Sequence, residues 1–445
     1  MINILVKLSK YIITLLMAFY TFKCFSVFRY NNENTKKRIY KQQNAIMYII
    51  HFLAYLIIFI KSENVNMILL YGAELAFFII VIAIYQAIYS NCSRLLVNNM
   101  CMLISIGLII IARISFEKAI KQFVIVVASF VITIAIPIIM KKFKNLRNIY
   151  WFYGVIGIIL LGVVALFGAS TYGANLSINL GFISIQPSEF VKLLFVFFCA
   201  SMFNKSTSFK QIVITTIFAA IHVLILVLST DLGGAMIFFI TYLAMLYIAS
   251  GKAYYSFAGL LAGSVAAVIA YKLFVHVRQR VQAFVDPFKV IETSGWQICQ
   301  SLFAIGTGGW FGMGLYNGMP KSIPVGDKDL VFSAISEELG VLFAICMILV
   351  CLSCFIMMMN IATMCRTLFY RLLGVGLGVM YIFQVFTTIG GGTKFIPLTG
   401  VTLPLVSYGG SSMLSTLILF AVIQGLYILR NDEVTEHEQR QAIKK

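Results

Sequence analysis

Apolar residues run along this chain in long unbroken stretches. They show neither the strict alternation of a half-buried strand nor the single stripe of a surface helix. A helix needs about 20 predominantly apolar residues to cross the hydrocarbon core of a bilayer. By that measure there are thirteen candidate spans, near residues 11–28, 45–61, 67–90, 98–114, 121–140, 149–168, 188–203, 210–228, 233–250, 253–275, 331–358, 370–390 and 407–429. Backbone groups in lipid must be satisfied within their own element, so runs of this length are read as helices. The pattern predicts an all-α polytopic membrane protein. The longest segment outside the spans, 276–330, is rich in Gly, Gln and charge and holds two Trp. Long ordered loops of that kind usually carry function.

Composition removes the other classes. Of the 445 residues, 61% are hydrophobic and 11% charged, whereas a soluble domain has about 25% charged. A disordered chain would be poor in apolar residues. Lys and Arg exceed Asp and Glu by 34 − 16, giving a net charge of +18. The cations lie in short clusters between spans, which orient helices and face anionic lipid, so a nucleic-acid partner is not expected. The clusters are the segment Arg29–Lys41, the loop 141–147, Lys205 with Lys210, and Arg366 with Arg371. With thirteen spans all of them fall on one side, which the positive-inside rule makes cytoplasmic. The N-terminus and the loops 169–187, 276–330 and 391–406 are then outside, and the tail 431–445 inside. The first span reads as a retained anchor and not a cleaved signal. Nine Cys offer no zinc framework; Cys351 and Cys354 sit inside an apolar run and read as packing. The four His have no partners at metal-ligand spacing.

Polar groups at span edges carry the candidate chemistry, because an ionisable residue in lipid costs about 2.5–3.5 kcal/mol on insertion scales. Gln186-Pro187-Ser188-Glu189 opens a span, with Lys192 on the same helix face; a self-neutralised cap is the plain alternative. Asp231-Leu232-Gly233-Gly234 joins two spans, where Asp231 is also a good N-cap. Asp327, Lys328 and Asp329 close the long outer loop, and Glu337 and Glu338 follow, which suggests a wet cavity. A low-dielectric wall would lift a carboxylate there towards general-base range. Residues 397–412, PLTGVTLPLVSYGGSS, are irregular backbone that survives at a membrane edge only against protein or a cavity. Gly306, Gly308, Gly309, Gly312 and Gly314 offer a backbone nest for an anionic group. Glu74, His51 and His222 read as hydrogen-bonded helix residues.

These motifs, in this order, resemble the SEDS family (shape, elongation, division and sporulation), the FtsW/RodA/SpoVE group. The resemblance rests on QPSEFVK at 186–192, DLGGA at 231–235, the stretch 278–314, DLVFSAISEELG at 329–340 and the segment 397–412, and covers about residues 98–430. It implies a ten-helix core, formed by the last ten spans, preceded by about three extra transmembrane helices. The expected division is residues 1–92, a core 93–430 and a cytoplasmic tail 431–445. It further implies a peptidoglycan glycosyltransferase that polymerises lipid II beside a class B penicillin-binding protein, in elongation, division or sporulation. By motif position Asp329 matches the family's catalytic aspartate, Glu189 and Lys192 its Glu–Lys pair, and Asp231 its Asp-Leu-Gly aspartate. Arg278, Arg280 and Gln297 in the long loop, with Ser407 and Ser411 in the last motif, complete the substrate-binding candidates. The chain departs from the family pattern at Asn175-Leu176-Ser177, where Arg-Trp is usual, at Thr230 for Pro, at Thr388 for Asn, and at Val325-Gly326-Asp327-Lys328 for Glu-x-His.

The implied reaction joins a sugar hydroxyl to an anomeric carbon that bears a lipid diphosphate. A base must take the hydroxyl proton, a role for Asp329. The leaving diphosphate calls for cations, for which Lys192, Arg278 and Arg280 are the candidates. A divalent cation, Mg2+ or Mn2+, is compatible with this chemistry, and its ligands stay unassigned. A flippase for lipid-linked precursors and an inactive scaffold for a penicillin-binding protein are the alternatives.

Overall fold

The computed structural model describes residues 2–443 apart from 90, 172–173 and 180–183, without the side chains of 2–5, 144, 169–176, 178–179 and 432–443. The helices in chain order begin with α1 (Ile2–Arg29), α2 (Glu33–Ser62), α3 (Asn66–Ile88) and α4 (Arg94–Ile114). Next come α5 (Phe116–Thr133), α6 (Ile136–Lys142), α7 (Tyr150–Phe167), α8 (Ser188–Lys205) and α9 (Phe209–Leu228). Then follow α10 (Leu232–Ser250), α11 (Ala253–Leu273), α12 (Val275–Val285) and α13 (Trp296–Gly308). The last are α14 (Val331–Leu339), α15 (Val341–Thr363), α16 (Leu368–Gly392) and α17 (Gly410–Ile443). Between α7 and α8, β1 (Ala169–Thr171), β2 (Ala174–Asn179) and β3 (Ser184–Ile185) form a small antiparallel sheet in that order. Its register pairs Ala169 with Ser177 and Ile178 with Ile185.

Among the described residues, 12 helical stretches are long and apolar enough to cross a membrane, α5 and α6 counting as one. The expected span at 188–203 is α8, an 18-residue helix that carries Glu189, Lys192 and Lys205. Two expected spans are broken. Pro137 in the first turn of α6 interrupts the run at 121–140, since proline cannot sit in a helix interior without losing a hydrogen bond. Gly340, at φ +91°, divides the run at 331–358 into α14 and α15. Hydropathy does not register either break, because both flanking segments are apolar.

The chain forms two compact units. The first comprises Met1–Ala128, Gln282–Met357 and Val385–Gly409. Its centre is α4, buried along its whole span. The hairpin of α1 and α2 and the following α3 pack around it. Lipid offers little hydrophobic drive between helices, so close packing and buried hydrogen bonds hold them together. Asn99 accepts from Tyr20 and from the Cys24 thiol, each at 3.1 Å, and donates to Ser353 at 3.2 Å. His51 bonds Ser105 at 2.9 Å and lies 3.3 Å from Glu74, which accepts from Tyr55 at 2.8 Å. On α1, Lys10 donates to the Gly312 carbonyl at 2.8 Å.

The second unit comprises Ser129–Val281, Met358–Gln384 and Gly410–Lys445. At its centre is α8, packed by α7, α9, α10 and α17. Small residues set the approach: a Cβ at Gly376 would stand 2.5 Å from Val196, and one at Gly157 would stand 2.6 Å from His222. Helix α11 meets α10 and has no buried residue.

Candidate active site

In the second unit the QPSE segment turns into α8 at Pro187, whose backbone is already helical. The Gln186 N–H donates to Ser411 Oγ at 3.0 Å, which ties the start of α8 to the start of α17. One turn later Lys192 Nζ donates to Glu189 Oε2 at 2.6 Å and to Gln384 Oε1 at 2.8 Å. Ser415 donates to the same Glu189 oxygen at 2.7 Å. All four residues are buried. The cation thus has its counter-charge and a second acceptor, the arrangement a buried ion pair requires. Asp231 caps α10, accepting from the Gly234 N–H at 2.8 Å. A Cβ at Gly234 would stand 2.7 Å from the Asp231 carboxylate, so this cap needs the glycine. Burial holds the Asp231 carboxyl above the usual carboxylate range, and the Glu189 charge adds to the rise; the Gly234 N–H, Arg280 and Lys192 oppose it. Glu189, Lys192, Asp231 and Arg280 therefore share one electrostatic neighbourhood. Arg278 and Arg280 lie on α12, the first exposed and the second half-buried.

Thr230 takes φ +64° immediately before this cap. Proline is locked near −65° and could not adopt it. The departure at 175–177 lies on β2, and the side chain of Asn175 is outside the described residues.

In the first unit Asp329 is half-buried two residues before α14. The C-terminal motif folds against it. Asp329 Oδ2 lies 3.8 Å from where a Cβ would stand on Gly400, which holds φ +75°. Ser407 Oγ donates to the Lys328 carbonyl at 2.6 Å and accepts from the Leu403 N–H at 2.8 Å. The Tyr408 N–H donates to the Asp327 carbonyl at 2.7 Å. Asp327 is buried and accepts from Lys118 Nζ at 2.6 Å. Gln122, one turn after Lys118, accepts from the Gly409 N–H at 3.2 Å and donates to the Ser407 carbonyl at 3.4 Å. Thr388 donates to the Val401 carbonyl at 3.0 Å. Residues 397–409 are thus pinned at several points around Asp329. Gln297 lies on α13, half-buried.

Two expectations need correction. Glu337 and Glu338 do not line a wet cavity. Glu338 accepts from Arg113 at 2.8 Å, Arg113 also reaches the Gly318 carbonyl at 3.0 Å, and Glu337 accepts from the Met319 N–H at 3.0 Å. Nor is the glycine-rich stretch an anion nest. The Met313 and Gly314 N–H groups bond the Glu337 and Glu338 carbonyls at 2.8 and 2.9 Å, and Val341 and Leu342 return bonds to Gly309 and Trp310. The glycines allow that close approach of backbones.

Lys118, Gln122, Arg113, Gln384 and Ser415 were absent from the sequence reading. Arg113 and Gln384 sit within apolar runs, where a polar side chain is a functional or structural signal by default. Lys118 and Gln122 share one helix face, a weaker cue.

Fold and side chains together define a polytopic helical membrane protein that keeps buried, hydrogen-bonded charge at its span ends. The chain belongs to the FtsW/RodA/SpoVE family of cell cycle proteins, whose profile matches residues 90–431. It is 35% identical over 303 residues to the peptidoglycan glycosyltransferase RodA of Mycobacterium tuberculosis, covering 64% of this chain and 65% of that protein. Against the probable peptidoglycan glycosyltransferase FtsW of Francisella salina it is 33% identical over 307 residues, covering 66% of this chain and 75% of the relative. The match thus spans just under two thirds of the length of the mycobacterial relative. Among solved structures, one described as the structural coordination of polymerization and crosslinking by a peptidoglycan synthase complex matches with TM-score 0.65 and 21% identity, over 76% of this chain and 98% of that one. The crystal structure of Thermus thermophilus RodA, a rod shape determining protein, matches with TM-score 0.58 and 20% identity, over 76% and 96%. These two likenesses establish the fold.

Proposed function

We propose that this chain is a peptidoglycan glycosyltransferase that polymerises lipid II at the outer face of the bacterial cytoplasmic membrane. The observation that carries the reading is Asp329, a half-buried carboxylate before α14 with the motif 397–409 pinned around it. The relatives named as glycosyltransferases support it. In the reaction a sugar hydroxyl forms a C–O bond to the anomeric carbon of a second lipid II. The bond from that carbon to the diphosphate breaks, and its electron pair leaves with the lipid diphosphate. Attack opposite the leaving group inverts the anomeric centre, and Asp329 takes the hydroxyl proton.

Lys192 has its charge matched by Glu189, so the pair serves best to hold α8 and the QPSE segment in place. Arg278, exposed on α12, and the half-buried Arg280 are the cations proposed to meet a diphosphate. Among the described residues no three His, Cys, Asp or Glu side chains gather as a metal site. A divalent ion would therefore be held largely by phosphate oxygens of the substrate, as Mg2+ commonly is.

The same reading makes residues 93–430, from α4 to the apolar part of α17, the catalytic core, with residues 1–92 as three additional spans and 431–445 as a cytoplasmic tail. A class B penicillin-binding protein is the proposed partner, supported by the likeness to a peptidoglycan synthase complex.

The test is to purify the chain with its candidate partner and supply labelled lipid II. Wild type should give glycan polymer on a resolving gel. Asp329→Asn should lose activity by about 10²–10⁴-fold, the usual worth of a general base, while keeping its elution profile. An Asp329→Asn protein as active as wild type would remove Asp329 from the mechanism. Absence of polymer from folded wild type with its partner would favour the scaffold or flippase reading.

A further inference from the structure

The α1–α2 hairpin holds a cavity of about 450 Å³. It lies where α1 ends at Arg29 and α2 begins at Glu33, so two candidate spans meet the membrane–water boundary there. Phe22 and Phe25 line it on the span side. Lys23, Arg29 and Arg38 supply three cations, and no carboxylate lines it. Among the described residues none of the three makes an ion pair. Glu33, the nearest acid in sequence, is neutralised by Lys36 at 3.0 Å and is not part of the lining. Thr35, in the first turn of α2, also lines the cavity, and a helix N-terminus favours negative charge. Three unmatched cations facing one space repel one another, so the arrangement is stabilised when an anion enters. The apolar wall beside them suits acyl chains.

We infer that this cavity binds the phosphate headgroup of an anionic phospholipid. The guanidinium groups of Arg29 and Arg38 suit bidentate phosphate contacts, and Lys23 adds a point charge nearer the acyl region. Surface cations attract an anionic leaflet even without a formed site. The inference is that the site adds selectivity beyond that background. It does not rest on the proposed enzymatic activity, since the site is built from α1 and α2 alone.

The experiment is native mass spectrometry of the full chain in detergent, titrated with phosphatidylglycerol or phosphatidylethanolamine. Wild type should retain phosphatidylglycerol at least tenfold more than phosphatidylethanolamine. The double variant Arg29→Gln/Arg38→Gln should lose that preference, and Lys23→Gln should weaken it. The control Lys142→Gln/Arg147→Gln, in another basic cluster at a span end, should keep it. Arg29 and Arg38 are exposed, so the variants should elute as wild type. Unchanged retention by the double variant overturns the inference. So does an equal loss in the control, which would mean diffuse surface charge. Displacement of the lipid by millimolar inorganic phosphate would assign the cavity to free phosphate and overturn the lipid reading.

Discussion

At the scale of single residues, buried charge is handled by pairing or by suppression. Glu189 and Lys192 are paired, and Ser415 and Gln384 take up their remaining hydrogen-bonding capacity. Removing one member of such a pair strands the other, at a cost of about 3–5 kcal/mol. Asp231 is handled differently. Burial outweighs its cap bond and nearby cations, so its carboxyl titrates above the ordinary carboxylate range. A carboxyl with a raised native pKa contributes stability that is fully present below the ordinary carboxylate range. That contribution falls as pH rises through the native value, because the folded state then binds more protons than the unfolded one. Asp231→Asn keeps an acceptor for the Gly234 N–H and cannot ionise. The melting temperature of wild type in detergent should therefore fall relative to Asp231→Asn as pH rises above about 4. Parallel curves would contradict the assignment. The Glu–Lys spacing and the Asp cap were legible in the sequence as local patterns. Gln384 and Ser415 were not, since they come from 192 and 226 residues away in the chain.

At the scale of elements, the break at Gly340 decides where Asp329 stands. The run 331–358 reads as one span. In the fold, α14 is a separate nine-residue helix braced by the glycine-rich stretch after α13. Gly312, at φ +76°, combines a left-handed backbone with close packing: a Cβ there would stand 2.3 Å from the Glu338 carbonyl oxygen. Gly312→Ala should destabilise the protein by at least about 1–2 kcal/mol, the left-handed backbone penalty alone, and lower its denaturation midpoint in detergent. Gly306, in the last turn of α13, meets nothing within 4 Å, so Gly306→Ala should be neutral or slightly stabilising. Equal effects at the two positions would refute the bracing role. The glycines were visible in the sequence, but a nest and a packing seam share the same residues. Which one forms depends on whether their N–H groups face open space or the α14 backbone.

At the scale of the whole molecule, the first three helices are packed into the first unit and are not appended to it. Helix α4 is buried throughout and bonds Tyr20, Gln43 and His51 from α1 and α2. On another side Gly107 of α4 meets Val406, where a Cβ would stand 2.4 Å from its carbonyl oxygen. Deleting residues 1–92 would strip Asn98, Asn99 and Ser105 of their partners on α1 and α2, at a cost of about 1–3 kcal/mol for each group left unsatisfied. The truncated chain should aggregate or lose its monodisperse peak in size-exclusion chromatography. A truncation that purifies and melts like the full chain would show the three helices to be dispensable.

The amino-acid sequence alone determined that this is a helical membrane protein, roughly where its spans lie, and which motifs mark its family. Those properties follow from local composition and from the requirement that backbone in lipid bond within its own segment. Tertiary structure decided the rest: that Glu338 belongs to Arg113, that Asp327 belongs to Lys118, that the 397–409 segment closes on Asp329, and that the α1–α2 hairpin encloses a basic cavity. Each of these depends on which residues from distant parts of the chain arrive at one place. Hydropathy along the chain cannot encode that, because a span tolerates a buried polar group only where a neighbouring helix supplies its partner.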